Sequence, residues 1–353
     1  MIFNFIAAIL ISSLISLFLS PITKNFFIRH GWIEDPQEKQ RKTQNATATK
    51  AVPRGGGIPI YISILITSLI FLPLDKHLFG ILLASFTVLI IGVWDDIKDI
   101  SPKLRLFTNI FSALIVVGSG IGIAYLSNPF GGVINLSTPQ ITFNLFGPHS
   151  IWILSDLLAI FWIVWCMNIV GWANGVEGQL PGFVSISAIF IGILGLKYSS
   201  DITQWSTIIL AGSVAGAYLG FLPFNFFPQQ IMPGYSGKSL AGFFLAILAI
   251  LSGAKLATVI LLLGIPMIDA IFVILRRFRQ GKPIYLGDGN HLHHRLLKRG
   301  LTRPQIAVGY WLFSFILGSI SLFLNSQQKF YVFLGLILLF VGFTLQLSRR
   351  NSN

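Results

Sequence analysis

The sequence predicts an all-α integral membrane protein of about eleven transmembrane helices, and three observations predict it. The chain is 54% hydrophobic and only 10% charged, far from the roughly one-quarter charged residues of a soluble domain. Apolar stretches of about 17 or more residues recur from end to end, each long enough to cross a bilayer. Of the 25 Lys and Arg residues, 21 fall in alternate inter-helix loops and at the C-terminus. The net charge of +13 therefore reads as a topology signal rather than as a nucleic-acid footprint, and no nucleic-acid partner is expected. The single cysteine, Cys166, lies in an apolar run, so no disulfide framework can form within the chain.

The spans fall near 2–20, 57–74, 78–94, 106–125, 151–167, 182–197, 205–222, 239–252, 256–275, 307–325 and 331–347. The first lacks a positive n-region and is too long for an ordinary cleaved signal, so it reads as a retained helix. Only Lys76, Lys197, Lys255 and Lys329 fall on the other side of the predicted membrane. The positive-inside rule then puts the N-terminus outside and the C-terminus in the cytoplasm. The external segment 127–150 has no Lys or Arg, and "VINLS" and "ITFNL" around Thr138-Pro139 read as a small β-hairpin near 130–147. No internal repeat suggests an inverted-repeat transporter. The chain reads as one polytopic membrane domain, 1–353.

The chemistry-bearing residues gather in the cytoplasmic loops, about 21–56, 95–105, 168–181, 223–238 and 276–306. In the first, Arg54 precedes Gly55, Gly56 and Gly57. Glycines there let a backbone pass close to a phosphate or to another helix, or simply ease the entry into span two. The second holds Asp95, Asp96 and Asp99, three of only twelve acids in the chain. Adjacent carboxylates at a helix mouth repel unless a cation or proton lies between them. Mg²⁺, with Mn²⁺ as the alternative, is the natural candidate; the plain alternative is that the acids mark where a helix leaves the membrane. The third, "NIVGWANGVEGQLPG", has one acid, Glu177, among Asn168, Asn174 and glycines, and should face water or line a cavity. In the fourth, Gly234, Ser236, Gly237 and Lys238 precede span eight, a helix start suited to an anion. The fifth contains "HLHH", His291, His293 and His294, with Arg295 adjacent. Without a zinc-type ligand set, phosphate binding and proton transfer suit these histidines best. Asp269, within span nine, is a functional candidate with a loop cation as partner.

Together these loops resemble the polyprenyl-phosphate N-acetylhexosamine-1-phosphate transferases (glycosyltransferase family 4), over nearly the whole chain. The resemblance rests on "PRGGG", "DDIKDISPKLR", the Asn168 loop, Pro266-Met267-Ile268-Asp269 and "HLHH". It implies a multi-pass enzyme of a prokaryotic plasma membrane, with a cytoplasmic active site. A polyprenyl phosphate would attack the β-phosphate of a UDP-N-acetylhexosamine with Mg²⁺, giving polyprenyl-diphosphate-sugar and UMP and starting cell-envelope glycans such as O-antigen, peptidoglycan or teichoic acid. The expected sugar phosphate is GlcNAc-1-phosphate, and a homodimer is left open. Roughly four negative charges must meet, so metal and side-chain cations are expected to offset their repulsion. The resemblance implies catalytic roles for Asp95, Asp96, His291, His293 and His294. It implies substrate binding by Arg54, Gly56, Asn174, Lys238 and Arg295, and metal binding by Asn168, Asp95, Asp96 and Glu177.

Two loops depart from the family pattern. Where it has Asn-x-x-Asn-x-x-Asp-Gly-x-Asp-Gly, this chain has Asn168, Gly171, Asn174, Gly175, Glu177 and Gly178; where it has Gly-Asp-x-Gly, this chain has Gly234-Tyr235-Ser236-Gly237. Tyrosine is a poor Mg²⁺ ligand at neutral pH. Besides an active transferase with a reshaped site, the readings left open are a weak or inactive paralogue that binds prenyl phosphate or partners the true enzyme, and a membrane transporter.

Overall fold

Long apolar sequences satisfy their backbone only as helices when water is excluded, and the chain is mostly helical. The computed structural model describes residues 1–35, 37, 50–144, 148–198, 200–201, 204–253, 256–281 and 291–349. Parts of the first and fifth predicted loops, 38–49 and 282–290, lie outside these residues, as does 145–147 of the predicted hairpin. The helices are α1 (Ile2–Arg29), α2 (Gly57–Phe71), α3 (Lys76–Lys98), α4 (Pro102–Gly118), α5 (Ile153–Trp172), α6 (Gln179–Leu196), α7 (Gln204–Asn225), α8 (Gly234–Leu251), α9 (Leu256–Leu262), α10 (Gly264–Arg279), α11 (Leu292–Lys298), α12 (Arg303–Ser321) and α13 (Ser326–Arg349).

Each of the eleven predicted spans coincides with a helix, except the ninth, which is divided. Seven helices are long and apolar enough to cross a membrane on their own: α1, α3, α5, α6, α7, α8 and α12. An eighth span arises if α9 and α10 count as one, and these are bent by 80° at their junction. The short α2 and the stretch Ser326–Gly342 of α13 are apolar but fall below 18 residues.

Helices associating in lipid gain most from close backbone packing, so small residues mark their contacts. On α7, Gly212, Gly216 and Gly220 recur every four residues and face α1. A Cβ at Gly216 would stand 2.2 Å from the carbonyl oxygen of Ile9, and one at Gly220 would stand 2.1 Å from that of Ser13. Ser12 Oγ donates to the carbonyl of Ser213 at 2.6 Å across the same seam. Gly242 of α8 lies against the Cys166–Met167 backbone of α5, and Gly92 of α3 lies against Ser236 at the start of α8. Helix α8 is thus central and almost wholly buried.

The small strands differ from expectation. The predicted single hairpin is two: β3 (Tyr125–Ser127) pairs antiparallel with β4 (Val133–Asn135), and β5 (Gln140–Asn144) with β6 (Pro148–Trp152). The predicted strands therefore belong to different ribbons. The first turn forms instead at Gly131 and Gly132, both at positive φ, with Asn128 Oδ1 accepting from the N–H of Phe130. Asn135 Oδ1 then accepts from Ser137 N–H and Ser137 Oγ, which ends β4 before Thr138.

A third pair of strands positions the site. β1 (Ile33–Glu34) pairs with β2 (Val52–Pro53), which sets Glu34 beside Arg54. Met232 N–H donates to Pro53 O at 2.8 Å and Gly56 N–H donates to Met232 O at 3.0 Å, so the Arg54 segment is held at both ends against the start of α8.

Candidate active site

The acid cluster lies at the C-terminus of α3, which runs four residues beyond the predicted span and carries Asp95 and Asp96 in its last turns. Asp99 takes the left-handed conformation (φ 53°) that stops the helix. Both adjacent carboxylates are buried, and all four of their oxygens are engaged. Asp95 Oδ1 accepts from Arg105 Nε at 2.6 Å and from Ile100 N–H at 3.1 Å, while its Oδ2 faces Arg54 Nη2 at 3.5 Å. Asp96 Oδ1 accepts from Tyr235 N–H at 2.5 Å, and Asp96 Oδ2 accepts from Ser236 N–H at 3.2 Å and Ser236 Oγ at 2.5 Å. Asp96 therefore closes the N-terminus of α8, where unpaired N–H groups and the helix dipole favour a negative charge.

Arg54 is the hub of this cluster. Its Nε faces Glu34 at 3.2 Å and Asp96 at 3.5 Å, and its Nη1 faces Asp99 at 3.6 Å. Burial alone would lower its pKa, but Asp96, Glu34, Asp95 and Asp99 together outweigh that and raise it, so the guanidinium stays charged. Arg105, from the first turn of α4, adds an ion pair from Nη2 to Asp99 at 2.9 Å. Ser101 caps α4 by accepting from Leu104 N–H, with Pro102 next, which aims Arg105 back at α3.

Glu177 does not join this cluster. Its Oε1 accepts from Arg303 Nη1 at 2.8 Å, and its buried Oε2 has no partner among the described residues. Arg303 begins α12 behind a capping box formed by Thr302 and Gln305. The expected set of Asp95, Asp96 and Glu177 around one ion is thus not formed. Among the described residues no group of three or more His, Cys, Asp or Glu side chains could hold a metal.

The histidines form a second centre. Asp269, on α10, accepts from His291 Nδ1 at 2.8 Å and from Leu292 N–H at 2.9 Å, so it both orients His291 and caps α11. Its expected loop partner is therefore His291. The His293 ring stacks on His291, at a centroid distance of 5.7 Å, and meets the His294 ring at a tilt, at 4.3 Å. It packs on Gly175, where a Cβ would come within 2.1 Å of the ring. Burial, reinforced by His294 and His291, holds His293 well below its ordinary pKa, so it is neutral. Arg295 lies over the ring of Phe272 at 5.9 Å.

The remaining predicted residues divide between packing and an open groove. Gly56 is buried, with the position of a Cβ filled by Met232 O and Phe221, so its lack of a side chain permits a close backbone approach. Asn174 sits half-buried in the turn after α5. Asn168 and Lys238 line a groove of about 560 Å³ between α4, α5, the start of α8 and Ile274 of α10. Its walls include Leu106, Ile110, Leu157, Phe161, Val164 and Trp165, while Arg105, Asn168, Tyr235 and Lys238 lie at one end of these helices. Arg105 and Lys238 stand over the Tyr235 ring at 5.1 and 5.3 Å from its centroid. The Tyr235 hydroxyl donates to Asn109 Oδ1 at 3.1 Å. Arg105, Asn109 and Arg303 escaped sequence reading as site residues; the isolated Glu177 opposite a basic loop was the only signal for Arg303.

The apolar helices define a multi-pass membrane protein, with a buried charge cluster beside a groove at one end of its bundle. The chain belongs to glycosyl transferase family 4, whose sequence profile matches residues 78–253. It is 26% identical over 345 residues to a probable undecaprenyl-phosphate N-acetylglucosaminyl 1-phosphate transferase of Bacillus subtilis, covering 95% of this chain and 88% of that protein. It is 26% identical over 337 residues to a decaprenyl-phosphate N-acetylglucosaminephosphotransferase of Mycobacterium leprae, covering 85% and 81%. A phospho-N-acetylmuramoyl-pentapeptide-transferase of Bacillus cytotoxicus is 27% identical over 329 residues, covering 89% and 96%.

Proposed function

We propose that the chain transfers N-acetylglucosamine-1-phosphate from UDP-N-acetylglucosamine to a membrane polyprenyl phosphate, the first step of a cell-envelope glycan. The observation that carries this reading is the groove. Apolar walls along the middle of α4 and α5 suit a prenyl tail, and Arg105, Asn168 and Lys238 at the helix ends suit its phosphate. A lipid-phosphate oxygen would attack the β-phosphorus of the nucleotide sugar. The bond from that phosphorus to the bridging oxygen would break, releasing UMP. His291, oriented by Asp269, with His293 and His294 beside it, suits the diphosphate side of that exchange.

The same reading places this end of the bundle in the cytoplasm, with the eleven helical segments crossing a bacterial plasma membrane and the N-terminus outside. The loops bearing 21 of the 25 basic residues support it. The described side chains do not fit a carboxylate-bound Mg²⁺ or Mn²⁺: the oxygens of Asp95 and Asp96 are engaged by guanidinium groups and a helix start, and residue 235 is a tyrosine. The test is UMP release by purified protein given UDP-N-acetylglucosamine, with and without undecaprenyl phosphate. Release that depends on the lipid phosphate and is lost in Arg105→Ala supports the reading; release without the lipid defeats it.

A further inference from the structure

We propose that the groove receives its lipid phosphate on two side-chain cations, Arg105 and Lys238, set over the face of Tyr235, and that this binding needs no divalent ion. The inference rests on the groove being a lipid-phosphate site, and it goes further by naming what neutralises the phosphate there.

Four observations carry it. First, the carboxylates beside the groove are committed. Asp95 is held by Arg105, Arg54 and Ile100 N–H, and Asp96 by Tyr235 N–H, both donors of Ser236 and Arg54. A hard cation would have to displace guanidinium groups or open the start of α8 to gain an oxygen ligand. Second, the other buried acids near the site are turned elsewhere: Glu177 to Arg303, and Asp269 to His291 and the start of α11. Third, Tyr235 offers the groove no anionic ligand. Its hydroxyl donates to Asn109, and its ring presents a face to both cations. An aromatic face holds a cation in place without neutralising it. Fourth, Tyr235 and Lys238 are three residues apart on α8 and so project from one face. Lys238 thus comes from the central helix and Arg105 from α4, on two sides of the polar end of the groove. Arg105 keeps Nε on Asp95 and Nη2 on Asp99 and offers a phosphate its remaining N–H donors, while Lys238 adds its ammonium charge.

Trp165 and Trp172 line the groove, so intrinsic fluorescence of the full chain in detergent reports occupancy. Farnesyl phosphate is the probe, titrated with excess chelator and again with saturating Mg²⁺; farnesol, which has the tail without the phosphate, is the control. We expect the two farnesyl phosphate affinities to agree within about twofold. We expect Lys238→Met to weaken both by about tenfold or more, the loss of one charge-assisted contact, without changing farnesol binding. Lys24→Met, which removes an exposed lysine bonded to Gln230, should change neither. Tyr235→Asp, which sets a carboxylate between the cations, should weaken binding in chelator and make it respond to Mg²⁺. Wild-type binding that falls about tenfold in chelator, or that Lys238→Met leaves unchanged in a protein that still takes up farnesol, overturns the inference and leaves the groove reading standing. A wild type that binds neither compound overturns the groove reading and the inference with it.

Discussion

Replacing Asp96 tests whether the buried acid pair is part of the scaffold. Asp96 accepts two N–H groups and one hydroxyl from the first residues of α8 and faces Arg54 at 3.5 Å. Hydrogen bonds to an ionised group each contribute roughly 1.5–3 kcal/mol, and a lost partner leaves buried donors unsatisfied. Asp96→Asn keeps one acceptor oxygen but turns an amide N–H toward a backbone N–H, and it removes the charge that opposes Arg54. We expect a cost of about 2–4 kcal/mol. Asp96→Ala removes every contact and should cost about 3–5 kcal/mol, as breaking a buried pair does. Asp99 also pairs with Arg105, at 2.9 Å, but its side chain is 55% exposed, so Asp99→Asn should cost about 0–1 kcal/mol. Thermal unfolding of the detergent-purified protein, followed by tryptophan fluorescence, reads the order directly. Asp96→Ala should melt lowest and Asp96→Asn on the order of 5 °C or more below wild type, with Asp99→Asn close to wild type. Asp96→Asn melting with wild type, or below it by no more than Asp99→Asn, would refute the claim that Asp96 secures α8.

Three further outcomes follow from the geometry. Arg303→Met leaves the Glu177 carboxylate buried and unpaired, so it should destabilise by about 3–5 kcal/mol; Glu177→Gln in the same chain should recover much of that, measured by melting temperature. Gly216→Val should destabilise by at least about 1–3 kcal/mol, because the added carbons meet the Ile9 carbonyl, whereas Gly309→Ala, with open space around it, should be tolerated. His293 is neutral in the fold at pH values where an unfolded histidine, with its pKa near 6.5, gains a proton. The unfolded state then binds more protons, so stability should fall as pH drops below about 6.5, by at most about 1.4 kcal/mol per pH unit, and should not change for this reason above it. His293→Gln should flatten that limb of a melting-temperature profile, and an unchanged slope would contradict the buried neutral ring.

The helices were legible because their signal is local. Continuous apolar runs predict helix, and the acids at the end of span three pointed to the place where α2, α3, α4 and α8 meet. Pairing was far less legible. Arg54 and Asp95 are 41 residues apart, Asp96 and Ser236 are 140 apart, and Glu177 and Arg303 are 126 apart; no periodicity links such partners. For that reason the sequence could not show that Asp96 accepts from the first residues of α8. Nor could the sequence show that Glu177 pairs with Arg303. The β-hairpin failed for a local reason: a proline between two alternating segments resembles a turn, but Gly131-Gly132 supplied a better one. Tyr235 was recognisable as decisive, yet its setting under two cations depends on Arg105 reaching it from the start of α4.

The measurement that bears most directly on the central claim follows the β-phosphate. UDP-N-acetylglucosamine labelled with radioactive phosphorus at the β position is incubated with the purified protein and undecaprenyl phosphate, and the mixture is partitioned into organic and aqueous phases. Transfer of the sugar together with its phosphate predicts label in the lipid phase, in step with release of unlabelled UMP and lost in Arg105→Ala. Label that remains in the aqueous phase as UDP while sugar enters the lipid, or that never leaves the intact nucleotide sugar, would contradict the account.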